Sequence, residues 1–174
     1  MQKVTKYAIF KTKWGYFGLA GNEKGICRTQ LPGERREKIK SLLLRDCPAA
    51  TFDSTFFKNL QKQIIAYYDG DCVKFSRDIP LYFDGLSSFG ISVLKTCRKI
   101  EFGRTVTYGE LAEKAGRPNA SRAVGSVLAK NPIPLIIPCH RIIRSDGKMG
   151  GFSAPGGIAV KKKMLDLECK AIGF

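Results

Sequence analysis

The segment TVTYGELAEKAGRPNASRAVGSVLAKNP, residues 105–132, constrains the fold more than any other part of the chain. Thr107 and Glu110 have the spacing of a capping box, in which the side chain of each residue accepts a hydrogen bond from the backbone N–H of the other. A helix is therefore predicted to begin at Thr107 and to stop at Gly116, a residue type that commonly ends helices. Apolar residues then recur with helical spacing as far as Leu128, which predicts a second helix. Two helices joined so closely indicate a helix-turn-helix.

The exposed side of the second helix carries few long side chains. Asn119, Arg122 and Ser126 lie opposite its apolar face, with the small residues Ala123 and Gly125 nearby. The chain has 30 Lys and Arg against 15 Asp and Glu, a net charge of +15 that is spread evenly over both halves and favours a polyanion as partner. We interpret this helix as one that approaches DNA closely without reading its sequence. The alternative is a helical hairpin with solvated polar positions.

Residues 1–84 are predicted to form a separate domain of mixed α and β structure. Alternating apolar and polar residues predict three antiparallel strands at KYAIF, GYFGLA and GICRTQL, and a further strand at CVKFSRDI. Apolar residues at helical spacing predict two helices between these strands, around residues 39–43 and 57–68. After FDGLSS the chain becomes mostly helical, so we place the boundary at residues 84–87 and the second domain at 85–174.

Composition narrows the class of protein further. The sequence has neither a signal peptide nor an apolar run of about 20 residues, the length that a membrane helix needs. We therefore expect a soluble protein of the cytoplasm or nucleus, without a membrane partner. The six cysteines are widely separated and there is a single histidine, so no spacing typical of metal ligands is present and we expect no metal site.

The single histidine, His140, directly follows Cys139 in IIPCHRIIRSDGK. The apolar run at residues 135–137 predicts a buried strand that ends at the cysteine. A buried thiol normally has a raised pKa, so a nucleophilic thiolate would need a base, and His140 could supply it. Adjacent side chains seldom point the same way. Taken alone, the pair favours a structural cysteine beside a surface histidine over a catalytic site.

The C-terminal segment IAVKKKMLDLE predicts a helix. Lys161, Lys162 and Lys163 are expected to form a mostly solvated face that can also meet phosphate. Glu168 falls close to the buried side, where a carboxylate needs a partner, and His140 is a candidate. The glycine-rich stretch SDGKMGGFSAPGG between the histidine and this helix predicts a loop that exposes its backbone.

Five motifs, VTYGELA, SRAVGSVLAKNP, PLIIPCHRII, GGFS and MLDLE, resemble in their order the O6-alkylguanine-DNA alkyltransferases, also called methylated-DNA–protein-cysteine methyltransferases. The resemblance covers about residues 87–169; the first half matches only in size and strand-rich character. It implies an α/β protein with an N-terminal ribonuclease-H-like α+β domain and a C-terminal winged-helix-like domain that binds DNA. It further implies that the alkyl group of O6-methylguanine, or of O4-methylthymine, passes to the protein once per molecule, without metal or organic cofactor.

The resemblance also assigns roles to individual residues. Cys139 would accept the alkyl group, His140 would act as its base through a water, and Glu168 would orient His140. Asn131 would tie the helix to the active-site turn. Tyr108 would help to rotate the nucleotide and would donate a proton to guanine N3 as the base leaves.

Arg122 is expected to fill the gap that the rotated nucleotide leaves in the DNA stack. The other DNA contacts implied are Thr107, Tyr108, Ala123, Ser126 and Arg141, and the pocket for the base would include Tyr108, Pro134, Ile142 and Ser153. The partner would be double-stranded DNA containing alkylated guanine, bound by a monomer.

Two departures from the family pattern leave the preferred size of the alkyl group open. Phe152 stands where the family usually has tyrosine, and Ala154-Pro155 resembles a two-residue insertion in the loop over the substrate. Two other functions remain as alternatives. A lesion-binding module without transfer is disfavoured by the cysteine in PCHR, and a helix-turn-helix regulator by the sparse face around Arg122.

Overall fold

The computed structural model describes residues 4–83 and 85–173. These residues fall into two compact units divided after Gly85. The division lies within the stretch 84–87 where the sequence places the boundary; Asp84 itself is outside the described residues. None of the described helices is both long and apolar enough to cross a membrane.

The first unit is built on a four-stranded sheet. Strands β1 (Lys6–Thr12), β2 (Gly15–Asn22) and β3 (Gly25–Gly33) form an antiparallel meander, and β4 (Thr51–Phe52) pairs in parallel with β1. The strand order is β3-β2-β1-β4. The three antiparallel strands predicted from the alternating pattern are thus confirmed.

Two helices of this unit pack against the sheet. Helix α1 (Arg36–Leu43) buries Ile39 and Leu43, and helix α2 (Lys58–Asp69) buries residues that include Leu60, Ile64 and Tyr68. Gly18 of β2 allows α1 to pack closely against the sheet, because an added Cβ at this position would lie 2.9 Å from the side chain of Leu43. Both helices predicted from apolar spacing are confirmed.

The strand predicted at CVKFSRDI, residues 72–79, is wrong. Ser76 and Asp78 bond to each other in a local turn, with the Asp78 backbone N–H donating to the Ser76 hydroxyl at 3.1 Å. Such short-range bonds compete with strand pairing. The chain reaches the sheet only afterwards, at an isolated bridge between Leu81 and Ile26.

The second unit is mainly helical. Its described elements are α3 (Ser88–Cys97), β5 (Val106–Thr107), α4 (Tyr108–Lys114), α5 (Ser121–Leu128), a short 3-10 helix (Cys139–Arg141), β6 (Ile142–Ile143) and α6 (Gly157–Ala171). Strands β5 and β6 pair in parallel. Helices α3, α4 and α5 pack against one another, and α6 packs against the 3-10 helix.

The helix-turn-helix predicted at residues 105–132 is confirmed as helices α4 and α5. Both bonds of the capping box are present: the Thr107 N–H donates to the Glu110 carboxylate at 2.6 Å, and the Glu110 N–H donates to the Thr107 hydroxyl at 3.2 Å. Helix α4 ends at Lys114, and Gly116 follows with a φ of +75°, a conformation that favours glycine. Val124 and Leu128 of α5 are buried.

The buried strand predicted at residues 135–137 is wrong. Proline at positions 132, 134 and 138 removes three backbone donors, and Leu135 has a φ of +77°, so this apolar segment turns back on itself. The turn is instead held by Asn131, whose side chain accepts from the Ile133 N–H at 3.0 Å and donates to the Ile137 carbonyl at 3.0 Å. We refer to residues 131–138 as the proline turn.

Candidate active site

The proline turn delivers Cys139 to the first position of the 3-10 helix. Its side chain is nearly buried, at 8% exposure, and the Asn131 amide donates to its sulfur at 3.2 Å. Burial raises the pKa of the Cys139 thiol, while the hydrogen bond from Asn131 and the charge of Lys161 act in the opposite direction. Asn131 therefore joins the proline turn to the sulfur, whereas the role implied by the sequence resemblance, a tie between the helix and this turn, stays a prediction.

His140 points away from solvent and meets Glu168 of helix α6. The His140 Nε2 and Glu168 Oε1 atoms are 2.7 Å apart, and the two side chains are 0% and 1% exposed. Glu168 also accepts from the Gly103 N–H at 3.0 Å. The structure thus brings together the two residues that the sequence proposes as partners, although they are 28 positions apart.

Arg141 completes this buried cluster. Its Nη2 donates to Glu168 Oε1 and its Nε to Oε2, each at 3.0 Å, and its Nη1 donates to the Ile100 carbonyl at 2.7 Å. The guanidinium carbon lies 5.6 Å from the centre of the Phe102 ring. The prediction that Arg141 contacts DNA is wrong, because its side chain is buried and committed to these partners.

The protonation states of the cluster follow from these contacts. Burial alone would raise the pKa of Glu168, but the bonds and charges of His140 and Arg141 outweigh it and lower that pKa to about 2. Burial lowers the pKa of His140, although the hydrogen bond and the charge of Glu168 act to raise it. At neutral pH the pair is therefore a carboxylate and a neutral imidazole. Because Nε2 donates its proton to the carboxylate, the lone pair of the neutral ring is on Nδ1.

Lys161 is a buried residue of the site that the sequence interpretation missed. The predicted solvated face is wrong at this position: Lys161 is 0% exposed, its ammonium donates to the Ile142 carbonyl at 2.5 Å, and it lies 5.9 Å from the centre of the Tyr108 ring. Burial lowers the pKa of Lys161, whereas the nearby thiols of Cys139 and Cys97 raise it. The available signal was its spacing, since Lys161, Met164 and Glu168 recur on one face of α6.

An open cavity of about 1050 Å³ gives access to Cys139. Thr107, Tyr108, Arg122 and Ser153, all predicted site residues, line it together with Cys139. Ala123 and Ser126 are exposed on the same helix as Arg122. Two further residues predicted for the pocket do not line the cavity: Pro134 bridges to Ile137 within the proline turn, and the Ile142 side chain is fully buried.

Tyr108 is the first residue of helix α4 and forms part of the cavity wall. Burial raises the pKa of its hydroxyl, and the charge of Cys139 raises it further, so the group stays protonated and can donate. Gly150 packs against this ring, since an added Cβ would overlap with the Tyr108 hydroxyl. The capping box and Gly150 together fix where the hydroxyl lies.

The glycine-rich loop ends at the start of α6. Phe152, the residue that departs from the family pattern, lines the cavity. Ala154 belongs to the turn that precedes the helix, where its carbonyl accepts from the Gly157 N–H at 2.9 Å. In the part of the chain that the structure describes, no three His, Cys, Asp or Glu side chains are grouped so that they could hold a metal ion.

Comparisons with known proteins give one consistent result. The family model described as the DNA binding domain of 6-O-methylguanine DNA methyltransferase matches residues 88–170. Two relatives are named methylated-DNA–protein-cysteine methyltransferase. The one from Methanosarcina barkeri is 39% identical, covering 93% of this chain and 96% of its own, and the one from Sulfolobus acidocaldarius is 35% identical, covering 93% and 92%. The crystal structure of Mycobacterium tuberculosis OGT in complex with DNA matches with a TM-score of 0.78 and 30% identity, over 96% of this chain and 94% of that one.

Proposed function

Because this chain belongs to the 6-O-methylguanine DNA methyltransferase family, we propose that it repairs alkylated DNA by moving the alkyl group onto its own Cys139. One observation carries the choice of acceptor: of the six cysteines, Cys139 is the one found among the described residues that line the cavity. Cys27 and Cys97 are buried elsewhere. The sulfur of Cys139 is also the one that receives a hydrogen bond from Asn131.

The proposed reaction is an in-line displacement at the alkyl carbon. A bond forms between the Cys139 sulfur and the carbon, the bond from that carbon to guanine O6 breaks, and its electron pair passes to the base. The thiol loses one proton and the leaving guanine gains one, so the reaction balances without a further reactant. A thioether is stable, so each molecule reacts once.

The buried cluster supports the first proton transfer. His140 Nε2 is engaged by Glu168, so the proton of the Cys139 thiol would reach the ring at Nδ1, through a water. Glu168 holds the ring orientation and stabilises the imidazolium that forms, and Arg141 fixes both oxygens of that carboxylate. Lys161 adds a positive charge that favours the thiolate.

Tyr108 supports the second proton transfer and the rotation of the base. O6 of guanine is out of reach inside a duplex, so the nucleotide has to leave the stack. Tyr108 stands in the cavity with a protonated hydroxyl, and we assign it the proton that guanine N3 receives. Ser153, which also lines the cavity, would bind the base.

Helix α5 would hold the duplex. Arg122 is exposed at the cavity and long enough to fill the gap in the stack, whereas Ala123 and Ser126 are small and let the DNA backbone approach. Thr107, at the start of α4, would meet a phosphate. The partner of this surface is duplex DNA, and alkylated guanine, with alkylated thymine as a second lesion, is its proposed target for a monomeric protein.

The test uses a duplex with one O6-methylguanine and measures the guanine restored per molecule of protein. The wild-type chain should restore at most one guanine, and Cys139→Ser should restore none. Cys169→Ser, which changes an exposed cysteine of α6, should match the wild type. Tight binding with the methyl group left intact would instead identify a lesion-binding module, and protection confined to one DNA sequence would identify a regulator.

A further inference from the structure

Arg144 leaves the small parallel sheet beside Tyr108. Strands β5 and β6 pair Val106 with Ile142 and Thr107 with Ile143, so the next residue of each strand, Tyr108 and Arg144, emerges at the same edge. Neighbouring strands are about 4.8 Å apart. Both residues line the cavity that leads to Cys139. Arg144 is thus placed beside a residue that the proposed function assigns to the rotated nucleotide.

The backbone of Arg144 is fixed by a tight turn. Its N–H donates to the Lys148 carbonyl at 2.9 Å, and its carbonyl accepts from the Gly147 N–H at 3.0 Å. The guanidinium is exposed and pairs with Asp146, with 3.1 Å between Arg144 Nη2 and Asp146 Oδ2. Asp146 is held in turn, since its Oδ1 accepts from the Lys148 N–H at 3.0 Å. A carboxylate therefore holds an arginine at the mouth of the cavity.

Charge around the cavity is one-sided. Among the described residues that line it, the charged ones are Arg122 and Arg144, on helix α5 and on the turn after β6. These two positive charges lie on separate elements at the cavity, an arrangement that favours binding of an extended anion across its opening. The ion pair with Asp146 is exposed, at 60% for Arg144 and 39% for Asp146, and an exposed ion pair is easily exchanged for another. A phosphate accepts from a guanidinium with the same two-oxygen geometry as a carboxylate.

We propose that Arg144 binds a DNA phosphate beside the lesion and that Asp146 occupies the place of that phosphate until the duplex displaces it. The inference rests on the proposed function, because it takes DNA as the occupant of the cavity mouth. Asp146 then weakens binding to every duplex, and Arg144 supplies a contact that does not depend on base sequence. Arg144 then holds the DNA backbone at the opening, while Arg122 enters the stack from helix α5.

The test measures the affinity of the full-length chain for an undamaged duplex over a range of salt concentrations. Loss of one phosphate contact reduces the slope of log K against log salt by about 0.9. Arg144→Ala should show this reduction, with an affinity about 3- to 10-fold lower near 0.1 M salt. Arg144→Lys should keep the slope, because the charge remains, and should bind with intermediate affinity. Lys6→Ala, an exposed lysine of β1 in an ion pair with Asp53, is the matched control and should leave the slope unchanged.

Asp146→Asn tests the second half of the proposal. Releasing Arg144 should raise the affinity about 2- to 5-fold, more than Asp166→Asn, which removes an exposed charge from α6. In the Arg144→Ala background, Asp146→Asn should raise the affinity for the duplex no more than Asp166→Asn does. An unchanged salt slope in Arg144→Ala, or the same gain from Asp146→Asn in both backgrounds, would overturn the inference.

Guanine restoration by the wild-type chain is measured in parallel. Restoration by the wild type together with an unchanged slope in Arg144→Ala overturns the role of Arg144 and leaves the proposed function standing. A wild-type chain that neither binds DNA nor restores guanine overturns both.

Discussion

At the scale of single residues, Lys161 most changes the chemistry expected of Cys139. It brings an ammonium group into a buried site where the thiol would otherwise have a raised pKa. Removing a positive charge near a thiol raises the thiol pKa and lowers the thiolate fraction. In the proposed reaction Lys161 would therefore act by stabilising the thiolate of Cys139.

We expect Lys161→Gln to slow alkylation of Cys139 by iodoacetamide about tenfold at neutral pH, because the charge is lost while a donor to the Ile142 carbonyl remains. The rate is measured by mass spectrometry on the peptide that contains Cys139, so exposed cysteines do not contribute. Lys170→Gln, which removes an exposed charge from the same helix, is the control. Equal rates for the two variants would contradict this role.

The pair of Glu168 and His140 predicts loss of stability in acid. The pKa of Glu168 is about 2 in the folded chain against an ordinary 4.5, so its contribution is present above pH 4.5 and is lost as the pH falls towards 2. Burial lowers the pKa of His140 below its ordinary 6.5, so the unfolded chain takes up that proton first and stability also falls below pH 6.5. Both groups act in the same direction, and Glu168 alone contributes about 3 kcal/mol.

Urea unfolding between pH 7 and about pH 2.5 tests this acid dependence, since that range includes the titration of both His140 and Glu168. The midpoint should fall continuously as the pH decreases. Glu168→Gln should lose about 3–5 kcal/mol at pH 7, because Arg141 is left buried without its carboxylate, and should depend less on pH below 4.5. Glu113→Gln, an exposed carboxylate of α4, should follow the wild type. A wild-type midpoint that does not change down to pH 4 would contradict the assignment.

The sequence predicted part of this site and missed the rest for a physical reason. Cys139, His140 and Glu168 could be proposed from a short motif and from a carboxylate on the buried side of a helix. The burial of Lys161 and Arg141 was not predicted, although the spacing of Lys161 gave a signal, because long basic side chains are normally exposed and their burial depends on partners elsewhere in the chain. The Ile142 carbonyl and the Ile100 carbonyl, which receive them, are backbone groups that no residue type reveals.

At the scale of elements, the sequence predicted the helices whose formation depends on interactions between residues close together in the chain. The capping box of α4 and the apolar spacing of α5 needed only neighbours within a few positions, and both helices are confirmed. The predicted strands at 72–79 and 135–137 are wrong because apolar content cannot show whether a pairing partner is within reach. At residues 135–137 the neighbouring prolines, which lack a backbone N–H, favour a turn over a strand in spite of the apolar content.

The glycine-rich loop gives a prediction at this scale, through Gly150. Gly150→Ala should slow methyl transfer about tenfold or more, because its Cβ would displace the Tyr108 ring from the cavity. The measurement is the single-turnover rate on methylated duplex, with DNA affinity determined alongside. Gly151→Ala is the matched control, since a Cβ there meets no atom within 4 Å, and its loss should be far smaller. Equal rates for the two variants would contradict the packing role of Gly150.

At the scale of the whole molecule, the fold class expected from the sequence is confirmed. A ribonuclease-H-like α/β unit precedes a winged-helix-like unit, and the likeness to Mycobacterium tuberculosis OGT extends over both. The motifs alone covered only the second unit, because the resemblance in the first was limited to its size and strand-rich character. The net charge of +15 suits a protein that must find rare lesions, since long-range attraction to DNA speeds encounter.

In the proposed reaction one alkyl group moves from DNA to Cys139 and stays there. The most direct measurement mixes the chain with an excess of duplex carrying O6-methylguanine with an isotopically labelled methyl group, then determines the mass of the intact chain and of its peptides. We predict one labelled methyl group per chain, on the peptide that contains Cys139, with an equal amount of guanine restored. Label on another cysteine, no label on the protein, or more guanine restored than protein present would contradict the account.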